Sequence, residues 1–248
     1  NDAAYLKNKK LIISTDMMIE GQHFKKDFSP VLIARKLLRI NLSDVAAMGA
    51  EPYGFFLNIA IPKNLTDKWL VDFTKGLKRD MSLFNLKLFG GDLSHAPRIF
   101  LSATILGKTK NHCHERNFSK ENSDIFISGN LGDATLGFML KNNLLSLNCS
   151  NLEKNYLVEK FMLPQPRLEI GKKLNGHVDF CTDISDGLVR ELSIIADQSN
   201  LQANIFLNKI PISNVFYNVV NNNKLKKRKV QELILSSGED YELLFGMS

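Results

Sequence analysis

The sequence predicts a mixed α/β (α+β) protein in two parts, and three observations predict it. Strand-like and helix-like stretches alternate through the first half of the chain. A polar stretch at residues 108–123 then interrupts the pattern, and further strands and helices follow it. The expected division is an N-terminal domain over residues 1–110 and a C-terminal α/β domain over residues 111–248. A chain of 248 residues has room for two modest domains and buries a core without disulfide or metal staples.

The elements follow in order. Residues 11–15 read as a strand. Pro30 suits the first turn of a helix, and residues 31–40 carry apolar side chains at helical spacing. Residues 54–61 form an apolar strand closed by Pro62. Thr66 caps a helix over residues 67–84. Residues 86–89 and 99–106 read as strands. After the polar stretch, 124–128 is a strand, 132–141 and 151–162 are helices, and Pro164 and Pro166 break the chain before a helix at 167–174. Residues 178–181 are a short strand, 186–199 a helix, and 203–207 and 241–245 late strands.

Composition excludes several classes. With 44% apolar and 23% charged residues the chain is neither disordered, collagenous nor a coiled coil. No apolar run reaches the ~18 residues of a membrane span. No basic and apolar leader opens the chain. Cys113, Cys149 and Cys181 are few and far apart, which fits a reducing compartment, so a cytoplasmic location is expected. His112-Cys113-His114 reads as a loop, because three adjacent residues rarely all turn inward on one ion. The net charge of +6 owes much to Lys224, Lys226, Lys227, Arg228 and Lys229, read as a solvated loop leading into a helix. One short cluster without interleaved aromatics does not make a nucleic-acid surface.

The carboxylates carry the functional information. Asp2, Asp16, Asp44, Asp92, Asp183 and Asp186 fall where strands should end or turn, beside small residues such as Ala3-Ala4, Ala46-Ala47, Gly90-Gly91 and Gly187. Each alone is explained by a cap or turn, and Asp186 is the most cap-like. Small neighbours let a ligand approach the backbone closely. Gathered carboxylates repel unless cations are present. Magnesium, a hard ion that takes oxygen ligands together with substrate phosphates, resolves this. No His/Cys set has zinc spacing, and no EF-hand loop is present. The phosphate-loop and dinucleotide glycine motifs are absent. Gly129-Asn-Leu-Gly132 at a strand-to-helix junction could offer N–H groups to a phosphate, and helix packing explains it equally well.

Ser14-Thr15-Asp16, Glu20-Gly21-Gln22-His23-Phe24, Asn41-Leu-Ser-Asp44, Gly90-Gly91-Asp92, Asp183-Ile-Ser-Asp186-Gly-Leu188 and Ser237-Gly-Glu239-Asp240-Tyr-Glu-Leu-Leu-Phe245 occur in one order over nearly the whole chain. Together they closely resemble the thiamine-monophosphate kinase family. The resemblance implies a phosphotransferase with a phosphate group as acceptor, which moves the γ-phosphoryl of ATP to thiamine monophosphate. It implies the two-domain aminoimidazole ribonucleotide synthetase-like fold, a homodimer formed through the N-terminal sheet, and ATP with several Mg²⁺ ions in the cleft between domains. Neither nucleic acid nor membrane is an implied partner.

Residue by residue, the resemblance implies metal binding at Asp2, Ser14, Thr15, Asp16, Asp44, Asp92, Asp183 and Asp186. It implies ATP contacts at Gly91, Asp92, Arg116 and Ser185, and substrate contacts at His23 and Glu239. Asp240 and Glu242 are decoys beside Glu239. The chain departs from the family pattern in three places. Asn1 stands ahead of Asp2 where a Gly-Asp pair is usual, and Ser237 stands where a second Gly is usual. The family also continues past the position of Ser248 into a segment with an aromatic thiamine contact. The implied reaction is direct in-line transfer without a protein nucleophile, because the acceptor phosphate is already ionised. The rivals are another ATP-dependent enzyme of the superfamily, separable by product analysis, and a non-catalytic nucleotide- or metal-binding homologue, separable by binding without turnover.

Overall fold

The computed structural model describes residues 1–109, 112–116 and 121–248. Residues 110–111 and 117–120 of the expected linker lie outside the described residues. The first half is a five-stranded sheet of β1 (Ala4–Leu6), β2 (Leu11–Ile19), β3 (Glu51–Ile61), β4 (Lys87–His95) and β5 (Phe100–Lys108), in the order β1-β2-β5-β3-β4. Only β3 and β4 run parallel, joined through helix α2 (Asp67–Leu83), whose N-cap Thr66 accepts the Trp69 N–H. Helix α1 (Pro30–Ala47) lies between the sheet and α2.

Pro30 starts α1, and Gly49 at φ +65° turns the chain out of it. The helix is buried on nearly every side, so it continues well past the residue 40 that apolar spacing suggests, through Asn41 and Ser43, which are buried polar groups. Ile12, Ile33, Leu37, Leu38, Phe55, Phe73, Leu101 and Ile105 form the core on the helix side of the sheet. The opposite face is covered by no element among the described residues, and it exposes Met17 and Phe56, with Phe89 packed on Phe56.

The second half holds β6 (Asp124–Ile127), β7 (Phe180–Asp183) and β8 (Leu243–Met247) in an antiparallel sheet of order β6-β8-β7. Around it lie α3 (Asp133–Lys141), α4 (Asn151–Met162), α5 (Leu168–Leu174), α6 (Leu188–Ser199), α7 (Asn214–Asn222) and α8 (Lys227–Leu235). A capping box of Ser150 and Glu153 starts α4. The halves meet tightly. Phe161 and Met162 of α4 belong to the first core, and a Cβ at Gly171 of α5 would lie 2.0 Å from the Ala46 carbonyl of α1.

Several expectations shift. β2 does not stop at residue 15 but runs to Ile19, and β4 runs through Gly90-Gly91-Asp92, so Asp16 and Asp92 lie within strands rather than at their ends. Asp44 lies in the last turns of α1, not at a strand end. No strand forms at 203–207; the stretch is irregular and then turns once at Leu207–Lys209. It faces the edge strand β6 across a cleft of about 830 Å³ that both line, and does not pair with it. The last strand begins at Leu243, which leaves Glu239 to Glu242 as loop. α7 was not foreseen. The basic cluster behaves as expected, with Lys226, Lys227 and Arg228 exposed at the start of α8. No helix among the described residues is long and apolar enough to cross a membrane.

Candidate functional site

Asp2, Asp44 and Asp183 arrive from three distant segments, the chain ahead of β1, the end of α1 and the end of β7. Each offers a carboxylate oxygen within 4.8 Å of the others. Alternation along β2 turns Ile12, Ser14, Asp16 and Met18 to the helix side, which brings Ser14 and Asp16 to the same place. Ser14 Oγ donates to Asp44, Ser43 Oγ to Asp183 at 2.6 Å, and Thr182 Oγ1 to Asp2 at 2.7 Å. Arg116 contributes the nearby cation: its Nη2 lies 2.5 Å from Asp2 and 3.5 Å from Glu191 of α6.

One guanidinium does not balance these carboxylates. Burial pushes Asp44 well above the ordinary carboxylate range, and the charges of Asp16 and Asp2 push it further, against the Ser14 bond. Burial, Asp44 and Asp2 do the same to Asp183. Asp16 is raised by burial, with His23 pulling the other way. Burial, then Glu239 and the three aspartates 183, 16 and 44, keep the Tyr241 hydroxyl protonated far above its usual range. Asp2 Oδ2 and Arg116 Nε are buried and make no hydrogen bond among the described residues. A set of hard oxygen donors, with anions in excess and one oxygen left without a donor, fits a hard divalent cation such as Mg²⁺ and phosphate oxygens.

The other expected residues are placed as follows. His23 is exposed just after β2 and accepts the Ile19 N–H at Nδ1, 3.0 Å away. Thr15 points to the uncovered sheet face, where its hydroxyl meets the Ala103 carbonyl and Thr104. Ser185 is half-buried, and its carbonyl accepts the Glu239 N–H at 2.8 Å. Asp186 does not cap α6; it is exposed and pairs with Arg190 at 3.3 Å. Glu239 pairs with Lys36 of α1 at 2.6 Å.

Asp92 is not brought to the cluster. Strand register puts it in one row with Asn58, Ser102 and Met17 on the uncovered face, whereas Asp16 lies in the next row on the helix side. Gly91 shares Asp16's row three strands away, and a Cβ there would lie 1.8 Å from the Leu57 carbonyl.

Sequence reasoning passed over Lys36, Ser43, Thr182, Glu191 and Tyr241. Three basic residues inside an apolar helix, Arg35, Lys36 and Arg39, were a usable signal for Lys36. The N–H of Gly132 is not free for a phosphate, because it donates to both oxygens of Asp240 at 3.1 Å. Glu242 is held by Arg167 and Ser128. Both decoys are therefore structural.

Residues 1–109 match the AIR synthase related protein, N-terminal domain, and residues 120–225 match the AIR synthase related protein, C-terminal domain. The chain is 38% identical over 243 residues to the thiamine-monophosphate kinase of Buchnera aphidicola subsp. Schizaphis graminum, covering 98% of this chain and 73% of that protein. Its structure is similar to the crystal structure of thiamine monophosphate kinase from Aquifex aeolicus, with a TM-score of 0.91, 28% identity and coverage of 99% and 82% of the two chains. It is also similar to AaThiL complexed with AMPPCP and TMP, with a TM-score of 0.90, 28% identity and coverage of 99% and 77%.

Proposed function

The chain belongs to the thiamine-monophosphate kinase family of AIR synthase related proteins, and we propose that it transfers the terminal phosphoryl group of ATP to thiamine monophosphate, giving thiamine diphosphate and ADP. The observation that carries the reading is the convergence of Asp2, Asp44 and Asp183, with oxygens within 4.8 Å, from segments separated by most of the chain.

Asp2, Asp44, Asp183 and Asp16 are assigned to hold Mg²⁺, with Ser14 and Asp186 at the rim. Bound there, the metal supplies charge neutralisation to the phosphate oxygens of both substrates. The chain's own residues do the rest. Ser14, Ser43 and Thr182 fix the carboxylates by hydrogen bonds. Arg116, already turned toward the cluster, offers its unsatisfied Nε to phosphate. Tyr241, held protonated, is a further donor into the same space. The acceptor is an ionised phosphate oxygen, so no side chain has to remove a proton. Catalysis rests on positioning and on fixed charge. His23 and Glu239 are assigned to thiamine monophosphate, and Ser185 to ATP.

A second copy of the chain completes the reading. The uncovered sheet face, with Met17, Phe56 and Phe89 exposed, suits dimerisation through the sheet. Asp92 projects from that face and Gly91 precedes it on the same edge strand, so these two serve a site on the other copy rather than their own. The test is incubation with ATP, Mg²⁺ and thiamine monophosphate, followed for thiamine diphosphate and ADP. Both products are expected. ATP binding without thiamine diphosphate would overturn the assignment.

A further inference from the structure

Helix α1 carries three buried basic side chains, Arg35, Lys36 and Arg39, and they do not all share one partner. Arg35 and Arg39 both bind Asp80. The Lys36 side chain is 5% exposed, lies with its ammonium 3.6 Å from the centroid of the Phe161 ring of α4, and meets Glu239 Oε2 at 2.6 Å. Glu239 is its one anionic partner among the described residues and comes from the other half of the chain. A buried ammonium with a single carboxylate neighbour is costly to keep, even over an aromatic face. A methionine would fill the same volume without that cost.

Glu239 is constrained from its own side as well. Its φ is +77°, in the left-handed region that a glutamate rarely adopts, and Tyr241 at φ +51° follows. The loop is pressed onto the chain after β7: a Cβ at Gly238 would lie 2.0 Å from the Ser185 carbonyl, and the Glu239 and Tyr241 N–H groups donate to Ser185 and Ile184. A strained backbone and a buried cation therefore fix one carboxylate, whose side chain still keeps 37% of its surface open.

We propose that Lys36 is a positioning residue for the organic end of the substrate: its ammonium holds one oxygen of the Glu239 carboxylate, so that the other, on the open side of the residue, receives the cationic, amine-bearing moiety of thiamine monophosphate. The inference rests on the kinase reading and deepens it. Lys36 and Asp44 stand eight residues apart on one helix, about 12 Å along its axis. A single rigid element therefore sets the carboxylate for the organic moiety and the carboxylate for the phosphates at a fixed separation.

Steady-state kinetics of Lys36→Met, Lys36→Arg, Glu239→Gln and the Lys36→Met/Glu239→Gln double variant test it, with thermal melting as the check on folding. Lys36→Met is expected to raise KM for thiamine monophosphate roughly tenfold, while kcat and KM for ATP stay within about twofold. Lys36→Arg is expected to fall between wild type and Lys36→Met, at roughly a threefold rise, because a planar fork restores the charge but not the fit. In the Glu239→Gln background Lys36→Met should add less than about twofold. A KM within about twofold of wild type, an equal rise in both backgrounds, or a loss confined to kcat overturns the proposal. Should Lys36→Met not fold, Lys36→Arg decides: an unchanged KM overturns it. A wild-type chain that makes no thiamine diphosphate overturns the kinase reading and this inference with it, whereas an active wild type with an indifferent Lys36 overturns this inference alone.

Discussion

Two buried clusters of charge sit a few turns apart on α1, and only one of them is saturated. At the first, Asp80 is fully buried and takes Arg35 Nε at 2.8 Å and Arg39 Nε at 2.6 Å. The remaining Arg39 donors reach the Pro164 carbonyl and Gln165 Oε1, each at 3.1 Å. At the second, Asp2, Asp16, Asp44 and Asp183 face Arg116, and Asp2 Oδ2, Arg116 Nε and Glu191 Oε2 make no hydrogen bond among the described residues. Polar groups buried to hold a fold are satisfied within it. Groups left wanting in so dense a cluster are satisfied by something the chain binds. The first cluster ties α1 to α2 and to the segment before α5; the second is the one the kinase reading assigns to metal and phosphate.

That contrast is broken most directly by exchanging one carboxylate in each cluster. Asp44→Asn removes a ligand oxygen and a repelling charge together. Turnover at saturating Mg²⁺ should fall roughly a hundredfold or more, while the melting temperature stays level or rises, because a carboxylate forced above its ordinary range is gone. Asp80→Ala leaves two guanidinium groups buried without an anion, and should cost about 3–5 kcal/mol of stability in chemical denaturation. Activity per folded molecule should hardly change. If Asp44→Asn unfolds the chain while Asp80→Ala only slows it, the roles assigned to the clusters are reversed.

Much of this contrast was legible before any coordinates. Pro30 and the apolar spacing after it placed the start of α1, Thr66 placed the start of α2, and most strands lie within a few residues of their expected positions. Asp2, Asp16, Asp44 and Asp183 were named from motif order, and they do converge. What failed has a common cause. Face and partner are properties of the folded sheet, not of a short window. A strand taken to stop at residue 89 hides that Asp92 belongs to the uncovered face, since side-chain direction follows a period of two along the whole strand. Residues 203–207 have the composition of a strand but stand across a cleft from the edge strand β6 and do not pair with it. Lys36 and Glu239 lie far apart in the chain, and no local pattern joins them. Helix α7 carries Val215, Phe216, Tyr217, Val219 and Val220, a β-branched and aromatic run that argues weakly for a helix, and it is helical because Phe216, Val219 and Val220 are buried against α3 and α4.

A smaller effect measures the deficit itself. Asp44 and Asp183 both titrate well above the ordinary carboxylate range in the folded chain. Their contribution to stability is therefore full below that range and is lost as pH rises through their raised values. On the kinase reading Mg²⁺ takes the deprotonated carboxylates and should return what is lost. Thermal melting with Mg²⁺ should show a stabilisation of about 2.7 kcal/mol at a hundredfold excess over Kd. The shift should be larger at pH 8 than at pH 6, and absent in Asp44→Asn. An equal shift in Asp80→Asn and wild type is expected, since that cluster has no vacancy for a cation. Equal shifts in wild type and Asp44→Asn would show that the metal binds elsewhere.

Asp240 is an intermediate case and gives the finest test. Its two oxygens accept the Gly132 N–H at the start of α3, so it is bonded, yet no cation among the described residues pairs with it. Burial first, and then the charges of Asp133 and Glu242, push its carboxyl up to about 8, against the bonds from Gly132 and Ala134. The folded value is raised above the unfolded one. The stability it contributes is therefore whole below the ordinary carboxylate range, declines as pH climbs toward about 8, and is constant above it. Asp240→Asn keeps a carbonyl oxygen for the Gly132 N–H and cannot ionise. The variant and wild type should melt nearly together at about pH 3.5, below the ordinary carboxylate range. The variant should melt a few degrees higher by pH 8, and the gap should stop growing beyond about pH 9. A gap that does not depend on pH would place Asp240 with the saturated cluster, as a carboxylate held ionised by the helix terminus alone. A gap that closes on adding Mg²⁺ would place it with the other.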